Sequence, residues 1–190
     1  MVDVPAKARD LLQSGDEEER REAVLSLRGR ADQETLGLLE RALGDESWRV
    51  RKSAVAVFRD YPQAGAAARS LIKALGDPDN AGLRGGAMEA LAMIGGQAVP
   101  YLLDTVNHPD NDVRKFVIDI QGEIKDPRAV AKVLPLTDDP AEVIRLAAVE
   151  ALGSIGGDRA FDALQGLLGG EDVSLQFSVL DFTGDWLDLF

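Results

Sequence analysis

The chain has 190 residues and a formal net charge of −12, with 45% apolar and 28% charged residues. This composition is typical of a folded globular chain and excludes a disordered tail. The chain contains no cysteine and a single histidine, His108, which excludes disulfide frameworks, thiolate metal sites and multi-histidine metal centres. So negative a charge also disfavours nucleic acid and anionic membrane surfaces as partners.

No segment of the sequence predicts export or membrane insertion. The first residues lack a basic stretch followed by an apolar core, and no apolar run approaches the ~18 residues of a membrane span. We therefore expect a cytoplasmic protein. The acidic excess is concentrated in residues 107–190, which carry 16 acidic against 7 basic side chains. This half either keeps the protein in solution or attracts a basic partner.

The predicted elements begin with a lone helix in residues 1–13, followed by a two-helix unit that recurs along the chain. The first helix of each unit is recognised by a key position, with apolar or small residues three and four places later and usually another after seven. These key positions, which lie 30 to 33 residues apart, are Arg20, Arg51, Arg84, Arg114, Arg145 and Gln176. A turn rich in glycine, proline or aspartate then leads to a shorter second helix. The predicted units are 14–43, 44–75, 76–106, 107–136 and 137–168, with a partial sixth unit in 169–190.

A unit of this length cannot bury its apolar face alone, whereas stacked copies can. The sequence therefore predicts an all-α fold of the α-solenoid (superhelix) class. Two stretches carry a recognisable pattern: Gly44-Asp45 with Val50-Arg51, and Asp139 with Ile144-Arg145. On these residues the chain resembles the HEAT-repeat family, in particular the short HEAT-like repeats of the phycobilisome (bilin) lyase type. It reads as a single domain, 1–190, of about five repeats with an N-terminal capping helix and a partial sixth repeat.

The resemblance implies that the repeated arginines are structural, each pairing with an aspartate six residues earlier. Asp45 and Asp139 precede Arg51 and Arg145 by six residues. In two other repeats the same place is taken by Pro78 and His108, so we expect the ladder of pairs to be broken there. The arginines assigned to this ladder are Arg20, Arg51, Arg84, Arg114 and Arg145.

The second helices are the expected binding surface. In HEAT proteins they line the concave face, which commonly binds the partner. Carried over by alignment, this resemblance implies that the partner-binding residues are Arg41, Arg69, Lys73, Tyr101, Asp104, Arg128, Lys132 and Asp162. The first three predict a local positive strip on an acidic chain; the alternative is an ordinary solvated surface.

Three further features have two interpretations each. Trp48, at a corner between repeats, is either a surface anchor or a lid on the hydrophobic edge. The pair Gly85-Gly86 lies inside a predicted helix, where it allows either close packing of a neighbouring helix or an exposed patch of backbone. The last residues are unusually apolar, so Trp186, Leu187 and Phe190 either fold back as a cap or form a self-association interface. The chain is alternatively a piece of a longer array.

Catalytic motifs are absent from the sequence. It contains no nucleophile elbow, phosphate-binding loop, dinucleotide fingerprint or paired-histidine zinc motif. We therefore predict a non-enzymatic protein–protein interaction module, an adaptor, scaffold or regulator that binds a protein segment and needs neither cofactor nor metal. The alternative implied by the resemblance is a subunit like those of bilin lyases, which binds a tetrapyrrole or a phycobiliprotein as part of a complex.

Overall fold

A computed structural model describes residues 4–170 and 172–187, with side chains as far as residue 180. All regular structure in those residues is helical, as the repeat pattern predicts. The α-helices are α1 Val4–Leu11, α2 Glu17–Ser26, α3 Gln33–Leu43, α4 Trp48–Arg59, α5 Ala64–Leu75, α6 Ala81–Ile94, α7 Val99–Leu103, α8 Asn111–Ile124, α9 Val130–Val133, α10 Glu142–Ile155, α11 Asp158–Leu167 and α12 Val173–Leu187. Three 3₁₀ segments accompany them: Gly95–Gln97, Pro127–Ala129 and Leu134–Asp138.

The even-numbered helices α2, α4, α6, α8, α10 and α12 are the first helices of the repeats, and each contains one key position. Their starts are set by short polar side chains that accept hydrogen bonds from the free backbone N–H groups of the first turn. Asp16 caps α2, Ser47 caps α4, Asn80 caps α6 and Asp110 caps α8. The local sequence therefore fixes where these helices begin.

The chain forms two compact units, Met1–Ala98 and Val99–Phe190. In the first unit, α4 packs between α2 and α6, and α5 packs against α6. In the second unit, α10 packs between α8 and α12. The boundary at residue 98 falls inside the predicted repeat 76–106, between its first helix and its second helix. Each unit has its own core of aliphatic side chains.

The core contains the positions that the repeat pattern predicts. Leu27, Phe58, Leu91 and Leu152, each seven residues after a key position, are fully buried. The equivalent residue in the fourth repeat is Gln121, which is also fully buried. The apolar spacing therefore fixes which face of each first helix is inside, even where one residue is polar.

The second helices are less regular than the repeat predicts. α3 and α5 have 11 and 12 residues, whereas α7 has 5. In the fourth repeat the second helix is replaced by a 3₁₀ turn, the four-residue α9 and another 3₁₀ turn that contains Pro135. Proline has no N–H to donate and clashes with the preceding turn, so an α-helix does not continue through it.

Gly86 and its neighbour Gly85 differ in their surroundings. A Cβ at Gly86 would lie 3.1 Å from Cδ2 of Leu43 and 3.3 Å from its carbonyl oxygen, so this glycine lets α6 approach the end of α3. A Cβ at Gly85 would meet no atom within 4 Å. Close packing explains Gly86, and an exposed backbone patch describes Gly85.

Candidate functional site

The key arginines share one hydrogen bond within their own repeat. Nη1 of each donates to a backbone carbonyl in the turn before its helix, six residues earlier in four cases and seven in the case of Arg84. In the sixth repeat Gln176 replaces arginine, and its Nε2 donates to the carbonyl of Gly170 at 2.7 Å. The acceptors for the arginines are the carbonyl oxygens of Ser14, Asp45, Asp77, His108 and Asp139.

Arg51 and Arg145 bind the aspartate six residues earlier, as the resemblance implies, but through its backbone carbonyl rather than its carboxylate. The carboxylates of Asp45 and Asp139 pair instead with the arginine of the preceding repeat. Nε and Nη2 of Arg20 donate to the two carboxylate oxygens of Asp45 at 2.9 and 3.1 Å. Nη1 of Arg20 is bound to the carbonyl of Ser14 in its own repeat. The other edge of the guanidinium, Nε and Nη2, faces the next repeat.

The same connection between successive repeats recurs in the second unit. Nη2 of Arg114 lies 3.3 Å from Oδ1 of Asp139, and Nε of Arg145 lies 3.0 Å from Oδ2 of Asp172. The pair of Arg20 and Asp45 is the most buried of the three, with side chains 7% and 11% exposed. The sequence predicts that the ladder of pairs is broken at His108. Arg114 nevertheless makes the same hydrogen bond as the other key arginines, because it binds the backbone carbonyl of His108 and not its side chain.

Arg51 has no carboxylate partner equivalent to the Asp45 that binds Arg20. Among the described residues it forms no ion pair, and its hydrogen bonds are those of Nη1 to the carbonyls of Asp45 and Glu46. The corresponding aspartate of the next repeat, Asp77, uses Oδ1 to accept from the backbone N–H groups of Asp79 and Asn80. The turn after Asp77 is one residue longer than the turn after Asp45, and among the described residues Asp77 forms no ion pair with Arg51.

Three of the predicted binding residues are basic side chains of two neighbouring helices in the first unit, and we call them the basic cluster: Arg41 on α3, and Arg69 and Lys73 on α5. All three are exposed. Arg69 and Lys73 lie one helical turn apart and share a face of α5, opposite the buried Ala67, Ala68, Leu71 and Leu75. α3 and α5 are in contact with each other.

Sequence reasoning missed an acidic member of this surface, Glu40. Glu40 and Lys73 line one shallow depression together with Ser70 and Asp77. Burial raises the pKa of the Glu40 carboxyl above its usual value, and the positive charge of Lys73 opposes that shift. The sequence contains a signal that Glu40 belongs to this surface. Glu40 directly precedes Arg41, and it lies three residues after Gly37, on the same side of α3.

The other predicted binding residues belong to the second unit. Tyr101 is half-buried in α7, and Asp104 is exposed in the turn that follows it. Arg128 lies in a 3₁₀ turn, where its guanidinium pairs with Asp126, 2.9 Å from Nε to Oδ1. That hydrogen bond holds the pKa of the Asp126 carboxyl below its usual range. The two remaining candidates are exposed: Lys132 in α9 and Asp162 in α11.

The predicted interface at the end of the chain cannot be placed. Phe190 and the side chains of Trp186 and Leu187 lie outside the described residues. Within the part of the chain that is described, no group of three or more histidine, cysteine, aspartate or glutamate side chains is arranged to hold a metal ion. No helix in that part combines the length and apolar character needed to cross a bilayer.

The model of HEAT repeats matches residues 5–92 and 99–176, most of both compact units. The chain belongs to the HEAT-repeat family. A second family model, the PBS lyase HEAT-like repeat, matches residues 83–108. No curated protein matches this HEAT-repeat chain.

Solved structures resemble the HEAT-repeat chain in fold at low sequence identity. A structure of microtubule plus end tracking by XMAP215, CLIP-170 and EB1 is 13% identical, with a TM-score of 0.62, and the alignment covers 97% of this chain and 93% of that chain. A designed armadillo repeat protein in complex with the peptide (KR)4 is 19% identical, with a TM-score of 0.45 and coverage of 96% and 99%. The complex of CpcE and CpcF of phycocyanin lyase from Nostoc sp. PCC7120 is 22% identical, with a TM-score of 0.43 and coverage of 95% and 76%.

Proposed function

We propose that this HEAT-repeat protein is a non-catalytic interaction module, an adaptor or regulator that binds a protein segment on the face of its second helices. The observation that carries the proposal is the basic cluster of Arg41, Arg69 and Lys73. It consists of three exposed cations on two contacting helices of a chain whose net charge is −12. A surface of the minority sign favours a partner segment of the opposite sign.

The helices hold these cations in fixed positions. Leu39 and Leu43 anchor α3 in the core, and Leu71 and Leu75 anchor α5. Because the backbones are fixed by packing, a bound segment meets charges at set intervals, and the ordering of this protein on binding is confined to its side chains. The partner segment that fits the cluster carries acidic side chains, and its affinity falls with rising salt because these charges are exposed.

The test is affinity capture from a lysate of the source cell with three baits. They are the wild type, the variant with Arg41→Glu, Arg69→Glu and Lys73→Glu, and a control with Arg28→Glu, Arg49→Glu and Arg59→Glu. The control reverses three exposed arginines outside the cluster and changes the net charge equally. We expect a stoichiometric protein with the wild type and the control that is lost with the cluster variant. Equal capture by all three baits, with unchanged circular dichroism, would reject the cluster as the site.

Further parts of the proposal concern the second unit and the compartment. Tyr101, Asp104, Lys132 and Asp162 extend the proposed surface, and Lys132→Glu tests that extension in the same capture. Self-association through Trp186, Leu187 and Phe190 stays a prediction, which sedimentation of wild type and Trp186→Ser checks. The proposed compartment is the cytoplasm, and fractionation of the source cell tests it.

The match of residues 83–108 to the PBS lyase HEAT-like repeat favours a second candidate function. In that case the protein is a subunit that handles a tetrapyrrole or its acceptor phycobiliprotein. Purification from a pigment-containing host separates the two candidates. Visible absorbance that co-elutes with the protein would support the lyase-like subunit, and a colourless protein that retains its protein partner would support the adaptor.

A further inference from the structure

A second surface lies on the first helices of the Met1–Ala98 unit, between the beginnings of α4 and α6. We call it the Trp48 groove, a depression of about 260 Å³. Its lining includes Trp48, which is 63% exposed, together with Gly82 and Gly85. Lys52 and Glu89, which form an ion pair with each other, also line it.

Arg51 lines this groove with one guanidinium edge unused. Its Nη1 is bound to the carbonyls of Asp45 and Glu46 at 2.8 and 2.9 Å. Its Nε and Nη2 donate to no other atom of the described residues, and neither of them is a buried atom without a partner. The edge is therefore accessible from the solvent.

In the preceding repeat the same edge binds a carboxylate. Arg20 uses Nη1 for a turn carbonyl, as Arg51 does, and holds both oxygens of Asp45 with Nε and Nη2. Planar guanidinium and carboxylate groups match in this two-bond geometry, which is stronger than a bond between neutral groups. The groove thus presents a carboxylate-binding edge in the orientation that the repeat uses internally, without an internal carboxylate.

Gly82 lies close to the side chain of Arg51. A Cβ at this position would lie 3.2 Å from Oδ1 of Asn80, 3.5 Å from Cδ of Arg51 and 3.8 Å from its Nε, so a larger residue would crowd the arginine. Gly85, one turn later, is exposed and has open space where its Cβ would be. A flat apolar group can therefore lie against the exposed indole of Trp48 while a neighbouring carboxylate reaches Arg51.

The charges around the groove also favour an anionic ligand. Lys52 and Glu89 pair with each other, and among the described residues no carboxylate pairs with Arg51. We propose that the Trp48 groove binds a protein segment in which an acidic side chain lies next to an aromatic one. The carboxylate pairs with Nε and Nη2 of Arg51, and the ring packs on Trp48. This surface is separate from the basic cluster, so either proposal can fail while the other stands.

The experiment is a titration of the ¹⁵N-labelled full chain, observed through the indole N–H signal of Trp48. Trp48→Phe assigns that signal, because the chain has two tryptophans. The probe is an acetylated and amidated hexapeptide, Gly-Ser-Asp-Phe-Ser-Gly, and its control carries Asn in place of Asp. We expect a saturable shift of the Trp48 signal, with a Kd about tenfold higher for the Asn peptide because a charge-assisted pair is lost.

Two variants test the assigned groups. Arg51→Gln keeps a donor but removes the guanidinium edge, so the Asp and Asn peptides should bind it equally. Because Arg51 also holds its own turn, Gly85→Glu provides a second test that leaves the arginine in place. It sends a carboxylate into the groove from within and should abolish the shift. Gly166→Glu makes the same change at an open helical position of α11 and should have no effect.

The outcomes are distinct. Equal affinity of the wild type for the Asp and Asn peptides would overturn the carboxylate assignment. No shift of Trp48 at millimolar Asp peptide, or an unchanged shift in Gly85→Glu, would overturn the groove as a binding site. The variant of the basic cluster should bind the Asp peptide like the wild type. Loss of binding in that variant would show that the peptide is bound by the basic cluster, which also refutes the groove.

Discussion

Gln121 is the most informative single position for the stability of the Val99–Phe190 unit. Its side chain is fully buried, and neither Nε2 nor Oε1 has a hydrogen-bond partner among the described residues. A buried amide without partners costs roughly 1–3 kcal/mol in proteins. Leucine occupies the equivalent, equally buried position of the next repeat, Leu152. We expect Gln121→Leu to stabilise the protein by about 2 kcal/mol.

For a chain of this length, about 2 kcal/mol corresponds to a rise of about 4–8 °C in the Tm of the transition that includes this unit. Calorimetry measures the shift, and urea unfolding should show a higher midpoint at an unchanged slope. Gln121→Met also removes the buried amide, and it changes the shape of the side chain less because methionine, like glutamine, is unbranched at the branch point of leucine. The reciprocal control, Leu152→Gln, should lower the Tm, because it creates the buried amide that the first variant removes.

The result that would refute this reasoning is an unchanged or lower Tm for both Gln121→Leu and Gln121→Met, with Leu152→Gln destabilising as expected. Position 121 would then differ from its repeat equivalents, and its amide would contribute to stability rather than reduce it. A loss with leucine alone would instead indicate that the branched side chain does not fit the site. The methionine variant separates these two causes.

Three further predictions concern the first unit. Arg20→Ala should lower the Tm by at least about 5 °C, because it leaves the buried carboxylate of Asp45 unpaired. Arg51→Ala should lower the Tm less, and an equal loss for both variants in thermal melts would contradict the assigned pairing. Gly85→Ala should raise the urea midpoint, because alanine favours a helix by about 1 kcal/mol, whereas Gly86→Ala should lower it by crowding the end of α3; the same sign for both would refute the packing argument. Since burial raises the pKa of Glu40, its ionisation costs stability as the pH rises through that pKa; Glu40→Gln should therefore melt higher than wild type at pH 7, with the difference vanishing in acid, and a constant difference across pH would contradict this.

The periodicity of the sequence predicts the first helices well. Buried positions such as Val24, Val55 and Ile118 repeat because packing against the adjacent first helix imposes the same requirement in each unit. The second helices of the third and fourth repeats are predicted less well. In the fourth repeat Pro135 interrupts the second helix, and in the third repeat α7 ends after 5 residues. The apolar pattern alone predicts longer helices in both places. Hydrophobic spacing reports which residues are inside, but not how far the backbone remains α-helical.

The candidate site is predicted only in part. The exposure of Arg41, Arg69 and Lys73 agrees with helical periodicity, whereas their choice as binding residues rests on the resemblance to HEAT proteins and stays a prediction. The arginine pairing could not, because sequence separation does not show whether an aspartate offers its carbonyl or its carboxylate. The open edge of Arg51 depends on one extra residue in the turn after Asp77. A difference of that kind changes a side-chain direction without changing the repeat pattern.

The difference between the paired Arg20 and the unpaired Arg51 has a consequence for how the first unit opens. In repeat proteins, the coupling between adjacent units sets how far a local unfolding event spreads. The junction of the first two repeats carries the pair of Arg20 with Asp45, whereas the junction of the second and third repeats has no equivalent at Arg51. Local unfolding should therefore spread more easily from α6 to α4 than from α4 to α2. Amide exchange should show this as a step in protection between α6 and α4, which separates two cooperative segments inside one compact unit.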